Sequence, residues 1–207
     1  MQLALWLPLL GASTLISFTP GAGAINTMGN SLTVGFRRSF WGILGQQAAL
    51  VIHIVIVALG VGVLVASSPL AFNIIRYAGA IYLVYLGVRQ FLAKPTVDAD
   101  AQSALSDESA ASLFRRGLWV NLLNPKAVVF FLAFLPQFIR AGEPLVPQYL
   151  VITATVVVID VLVMWFFFAA TAGSFRRFTR NERGQRVMNR VFGVLFVAVG
   201  LLLALIH

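Results

Sequence analysis

The chain has 207 residues, of which 59% are hydrophobic and only 11% are Asp, Glu, Lys or Arg, against roughly 25% charged residues in soluble domains. With a mean hydropathy of +0.90, this composition excludes an ordinary soluble domain and puts the chain in the membrane class. The net charge of +8 does not signal nucleic acid, because the basic residues flank hydrophobic runs as topology signals, and the absence of cysteine excludes disulfides, thiol relays and thiolate-held metal.

A membrane span needs about 20 mostly apolar residues. Six segments qualify: 3–26, 40–63, 70–92, 117–139, 148–170 and 188–206. Each is apolar nearly all round, and lipid offers no partner for an open strand edge, so an all-α fold of six transmembrane helices is predicted. The first opens with MQLALWLPLL, which lacks the basic start and cleavage site of a removable leader and reads as a retained span. It ends in SFTPGAGAINTMGN, residues 17–30. Pro20 has no N–H to donate, and Gly21 and Gly23 permit unwound backbone. Together with Asn26 they form a break whose freed carbonyls and amides can bind a substrate's charged ends; the plainer alternative is a proline kink packed by small residues.

The second segment places Gln46, His53 and Gly60 on one face at i, i+7 and i+14. The third carries Arg76, expected to snorkel to the outer surface. Residues 94–115, KPTVDADAQSALSDESAASLFR, are polar and small, and read as a flexible linker. The fourth segment begins with NLLNPKAVVFF and holds a second break at Asn124, Pro125 and Lys126. Lys126, Phe130, Ala133 and Gln137 share a face, so Lys126 either looks into the bundle or snorkels to the cytoplasmic surface. The fifth holds Asp160 near its middle, where an acid costs roughly 2.5–3.5 kcal/mol on insertion scales and requires a partner, a wet cavity or a proton. Asp160 is therefore a candidate proton carrier or ammonium acceptor, and His53, at the matching place in the other half, a candidate partner for it. Gly42, Gly45, Gly79, Gly87, Gly193 and Gly200 are expected to allow close helix contact, within the chain or in a homodimer.

Arg37, Arg38, Arg89, Lys94, Arg115, Arg116 and the SFRRFTRNERGQRVMNR stretch fall on one side, which should be cytoplasmic and face anionic headgroups. Six spans then leave both termini outside. The linker divides a single transport domain, 1–207, into three-helix halves, 1–93 and 116–207. Three being odd, the halves enter the membrane from opposite sides, the inverted-repeat plan of many secondary transporters. Pro20 comes late in its helix and Pro125 early, so both breaks lie toward the cytoplasmic half.

No zinc-protease, P-loop, paired-acid or activated-serine motif occurs in the sequence, so neither an enzyme nor a cofactor or metal site is expected. A secondary transporter is the first expectation. An inorganic cation transporter or channel is the second, although Asp160 alone makes a poor set of oxygen ligands.

SFTPGAGAINTM, GFRRSFWGILGQQ and NLLNPKAVVFFLAFLPQFI resemble the lysine-exporter superfamily in its homoserine/threonine resistance branch, over essentially the whole chain. Where the family pattern reads Pro-Gly-Pro, this chain reads Pro20-Gly21-Ala22. The resemblance implies a bacterial inner-membrane exporter of small amino acids or their derivatives, homoserine and its lactone among them, driven by the proton gradient. On that footing the two breaks would bind substrate polar groups, Asp160 would engage the ammonium or the coupling proton, and Gln46, His53 and Lys126 would complete the site.

Overall fold

The computed structural model of the chain describes residues 3–61, 68–93, 107–140, 142–179 and 182–205, and among these no strand occurs. The helices are α1 (Leu3–Phe18), α2 (Ala22–Val34), α3 (Phe36–Ile56, prolonged by a π-helical turn Val57–Val61), α4 (Pro69–Phe91), α5 (Ala110–Leu122), α6 (Pro125–Phe134, ending in a 3₁₀ turn Leu135–Phe138), α7 (Leu145–Leu162), α8 (Ala170–Thr179) and α9 (Glu182–Leu205). A wide π-helical stretch, Val163–Ala169, joins α7 to α8 without a gap.

By length and apolarity three of the described helical stretches can cross a membrane: Phe36–Gly60, Leu145–Arg177 and Glu182–Leu205. The number rises to five if α1 with α2, bent by 54°, and Ala110–Leu122 with Pro125–Phe138, bent by 56°, each form one span.

Both bends follow from proline chemistry. Pro20 cannot donate to the carbonyl one turn back, so α1 stops with Thr19 N shared between Leu15 O at 3.1 Å and Ile16 O at 3.2 Å. Gly21 then takes an extended conformation and α2 starts at Ala22 with no side-chain cap. At the second bend Asn124 is extended and its side-chain oxygen accepts from Lys126 N, while Pro125 occupies the first helical turn, where its missing N–H costs nothing. A single residue, Gly35 at φ +85°, turns the chain from α2 into α3; only glycine takes that φ without strain.

The first expected span, 3–26, is thus two helices, the second running on to Val34. Helix α5 starts at Ala110, capped by Ser109 Oγ accepting from Ser112 N at 3.2 Å, so residues 110–115 are helical rather than linker; residues 94–106 lie outside the described residues. Arg76 does not snorkel. It is 5% exposed and donates to Leu203 O at 3.1 Å and to Ala204 O, holding the last carbonyls of α9, the end of a helix that favours a cation.

The glycines act where close contact was expected. A Cβ on Gly45 would strike the backbone of Phe114 and Leu118, and Gly42 meets Gly117, a glycine outside the expected set whose own Cβ would strike the Gly42 backbone, so α3 and α5 touch main chain to main chain. Gly87, Gly193 and Gly200 do the same for α4 and α9, and Gly79 abuts Ala133. The six expected glycines make their close contacts inside the chain. One apolar cluster, with Leu9, Ile54, Phe130, Phe134, Phe138 and Ile152, fills the bundle on one side of the two bends. A second, with Ala24, Ile43, Met164 and Phe168, fills the other.

Because the seam at Gly117 has no slack, Gly117→Ala should lower the unfolding temperature of the detergent-solubilised protein, by an overpacking cost of about 1–3 kcal/mol. Gly11→Ala, with nothing within 4 Å of the added methyl, should leave it unchanged or slightly raised in the same melt.

Candidate functional site

The break after α1 leaves Ile16 O and Thr19 O without their usual donors four residues on, and a cation serves both. Lys126, in the first turn of α6, is buried. Its Nζ donates to Ile16 O at 3.0 Å and Thr19 O at 2.5 Å. Ile16 O is the acceptor that Pro20 leaves with only the shared Thr19 N. The two bends therefore meet: a Cβ on Gly21 would lie 3.3 Å from Lys126 Cε. Of the two readings of Lys126, the inward one holds, and Phe130 and Ala133 on its face are buried with it.

Asp160, on α7, is 8% exposed. Its carboxylate accepts from Ser17 Oγ on α1 at 3.0 Å and from Gln47 Nε2 on α3 at 2.7 Å. Hydrogen bonds to both oxygens meet the requirement for an acid placed at this depth. Neighbouring Gln46 reaches the other way, donating to Gly23 O at 3.1 Å and Thr27 Oγ1 at 3.0 Å on α2. Asn121 Nδ2 donates to Gln46 O at 3.1 Å, and Asn124 Nδ2 to Asn121 Oδ1 at 3.3 Å. Asn124 Oδ1 accepts from Lys126 N at 3.1 Å. The polar side chains thus run in a circuit from α1 through α7, α3, α5 and α6 back to α1.

The circuit borders a partly open cavity of about 40 Å³ lined by Ser17, Gly23, Gln46, Asn121, Asn124, Lys126 and Asp160, with Leu50, Phe130, Val156 and Met164 among its apolar walls. Lys126 and Asp160 face this space without a direct salt bridge; the ion pairs among the described residues all lie elsewhere. The result is a cation, an anion and the start of a half-helix at Gly23 around one small cavity, whose apolar walls belong to the two clusters.

Of the residues picked from the sequence, Gly23, Gln46, Asn124, Lys126 and Asp160 line the cavity and Gly21 packs on Lys126. Pro20 and Pro125 shape the backbone rather than the wall; the Pro125 ring is exposed. Asn26 lies on α2 toward Gly42 and outside the lining, its Nδ2 buried without a partner. His53 does not meet Asp160, whose partners are Ser17 and Gln47. Its Nε2 faces Leu122 O at 3.3 Å, at the end of α5, and its ring stacks on Phe131 at 5.6 Å. Ser17, Gln47 and Asn121 belong to the site and were not singled out. Ser17 and Asn121 lie inside the two broken motifs, and Asn121 stands three residues before Asn124, across the break between α5 and α6.

The LysE type translocator family matches residues 14–206 of the chain. The homoserine/homoserine lactone efflux protein of Salmonella typhimurium (strain LT2) is 41% identical over 199 residues, covering 96% of this chain and 95% of that protein. An uncharacterized membrane protein of Vibrio cholerae is 40% identical, over 99% of this chain and 98% of its own length. The leucine efflux protein of Klebsiella pneumoniae is 28% identical, over 96% and 94%. No solved structure matches.

Asn124 both caps α6 and continues the circuit. Asn124→Ala should destabilise the protein by about 1–2 kcal/mol, the usual cost of a lost cap. Asn124→Asp, which keeps the acceptor for Lys126 N, should recover much of that in thermal unfolding in detergent.

Proposed function

The chain belongs to the LysE type translocator family, a translocator and not an enzyme, and from that premise we propose that it exports homoserine, homoserine lactone or a similar small amino acid across the bacterial cytoplasmic membrane by proton-coupled alternating access. The observation that carries this reading is the presence of Lys126 and Asp160 in the lining of one cavity beside two broken helices.

An amino-acid zwitterion needs donors for its carboxylate and an acceptor for its ammonium. Lys126 has three N–H groups, two of them held by Ile16 O and Thr19 O, which leaves one for a carboxylate. The amides at the start of α2, beside Gly23, have no earlier helical turn to bond and carry the positive end of a helix dipole. Asp160 takes the ammonium, with Gln46 Oε1, buried and unpartnered, available to a second ammonium hydrogen. The walls of Leu50, Phe130 and Val156 suit a short side chain. A lactone keeps the amine and loses the carboxylate, so Asp160 serves both substrates and Lys126 mainly the open amino acid. When substrate leaves, a proton on Asp160 replaces the ammonium, which couples export to the proton gradient.

Two bends of similar size, 54° and 56°, and π-helical turns at Val57–Val61 and Val163–Ala169 support a plan of six spans in two inverted halves. In that plan α1–α2 corresponds to α5–α6, α3 to α7–α8, and α4 to α9, with residues 94–109 between the halves and both termini outside. A cation transporter is the weaker reading, because Asp160 is the one acidic residue lining the cavity and a hard cation takes six or more oxygens.

The measurement is uptake into inside-out vesicles under an imposed pH gradient. Asp160→Asn should cut transport of homoserine and its lactone at least tenfold and remove the dependence on the gradient. Export by Asp160→Asn with an unchanged response to the gradient would refute the coupling role. Lys126→Met should raise the KM for homoserine at least tenfold while changing that for the lactone severalfold less.

A further inference from the structure

The helices around the cavity are held in two different ways. The α3–α5 and α4–α9 pairs touch backbone to backbone at glycine, and close-packed seams of this kind do not part without opening a void. Helix α2 is attached otherwise. It starts at uncapped Gly21 and ends at Gly35 with φ +85°, so each end is a glycine joint. Its contribution to the neighbouring apolar cluster is Ala24 and Met28, while Ile25 is 66% exposed.

Alongside its packing on α3, α5, α8 and the π-helical stretch Val163–Ala169, α2 is held by a row of hydrogen bonds. Besides the Gln46 contacts to Gly23 and Thr27, Ser31 Oγ donates to Ala169 O at 2.7 Å and Arg116 Nη2 donates to Asn30 Oδ1 at 2.5 Å. Arg116, on α5, is itself fixed by Glu108 at 2.9 Å. Asn30 Nδ2, Asn26 Nδ2 and Gln46 Oε1 are buried without partners; Asn30 is 2% exposed and Gln46 1%. Unpaired buried amides are costly and rare. Three of them near the α2–α3 seam mark groups that find partners in another arrangement of the helices or on a polar molecule in transit. The seam runs from the cavity at Gln46 to the arginine-bearing side of the molecule.

We propose that α2 is the gate on the basic side of the cavity, that Arg116 latches it through Asn30, and that a zwitterionic amino acid reaches the cavity between α2 and α3 past Asn30, Asn26 and Gln46. The nature of the cargo rests on the export reading above; the movement of α2 does not.

The chain has no cysteine, so engineered thiols report without background. Ala127→Cys puts one on the cavity wall. In inside-out vesicles a membrane-impermeant maleimide should label it severalfold faster when Asn30→Ala or Arg116→Ala is added, and at an intermediate rate with Arg116→Lys. Separately, a Ser31→Cys and Ala169→Cys pair, its closure followed by loss of both free thiols, should lower homoserine transport at least tenfold and recover on reduction. Unchanged labelling in the Asn30 and Arg116 variants, or full transport by the closed pair, overturns the gate. Faster labelling in a protein that moves no homoserine leaves the gate standing and overturns the cargo; unchanged labelling with normal transport does the reverse.

Discussion

An ammonium group laid on the end of a broken helix organises this molecule. Pro20 denies Ile16 O the donor four residues on and leaves it only a share of Thr19 N, and in a setting without bulk water that loss must be made good by another part of the protein. Lys126 does so from the first turn of α6. Its reach fixes the second broken helix against the first and brings a positive charge to the interior. The charge in turn makes a buried Asp160 tolerable nearby, although the two make no contact pair, because the cavity between them can hold water or a ligand of both signs.

His53 repeats this arrangement at the other bend. Leu122 O lies at the end of α5, and His53 Nε2 sits 3.3 Å from it. Each bend is therefore held by a basic side chain from a different helix, one facing the cavity and one standing outside it. Asp160, by contrast, is held by neutral donors, Ser17 and Gln47. Neutral partners leave the carboxylate's charge unspoken for, whereas a tight ion pair would have neutralised it and left less reason for a cationic group to enter.

Much of this was legible in the residue order. Long apolar runs and the two proline breaks announce a helical membrane protein, and an acid and a lysine inside such runs announce a polar interior. The contact glycines were likewise readable, since each stands on an apolar helix with no other role to play. What periodicity could not supply was partnership. His53 and Asp160 sit at comparable depths, which suggested a pair, but depth says nothing about the direction a helix face looks, and Asp160 turns to Ser17 and Gln47 instead. Arg76 looked like a surface residue because distance along a helix was its only coordinate; the end of α9, more than a hundred residues later in the chain, was the missing one. Ser17 and Asn121 passed unnoticed because their small polar side chains resemble packing residues until an acceptor is placed opposite them.

The spread of the polar circuit over several helices has a consequence for how these positions can change. Its side chains come from α1, α3, α5, α6 and α7, each holding the next, so no helix can shed its polar residue without orphaning a buried partner on another. A substitution at one of them calls for a matching change on a second helix, whereas the apolar faces around them accept exchanges of similar volume one at a time.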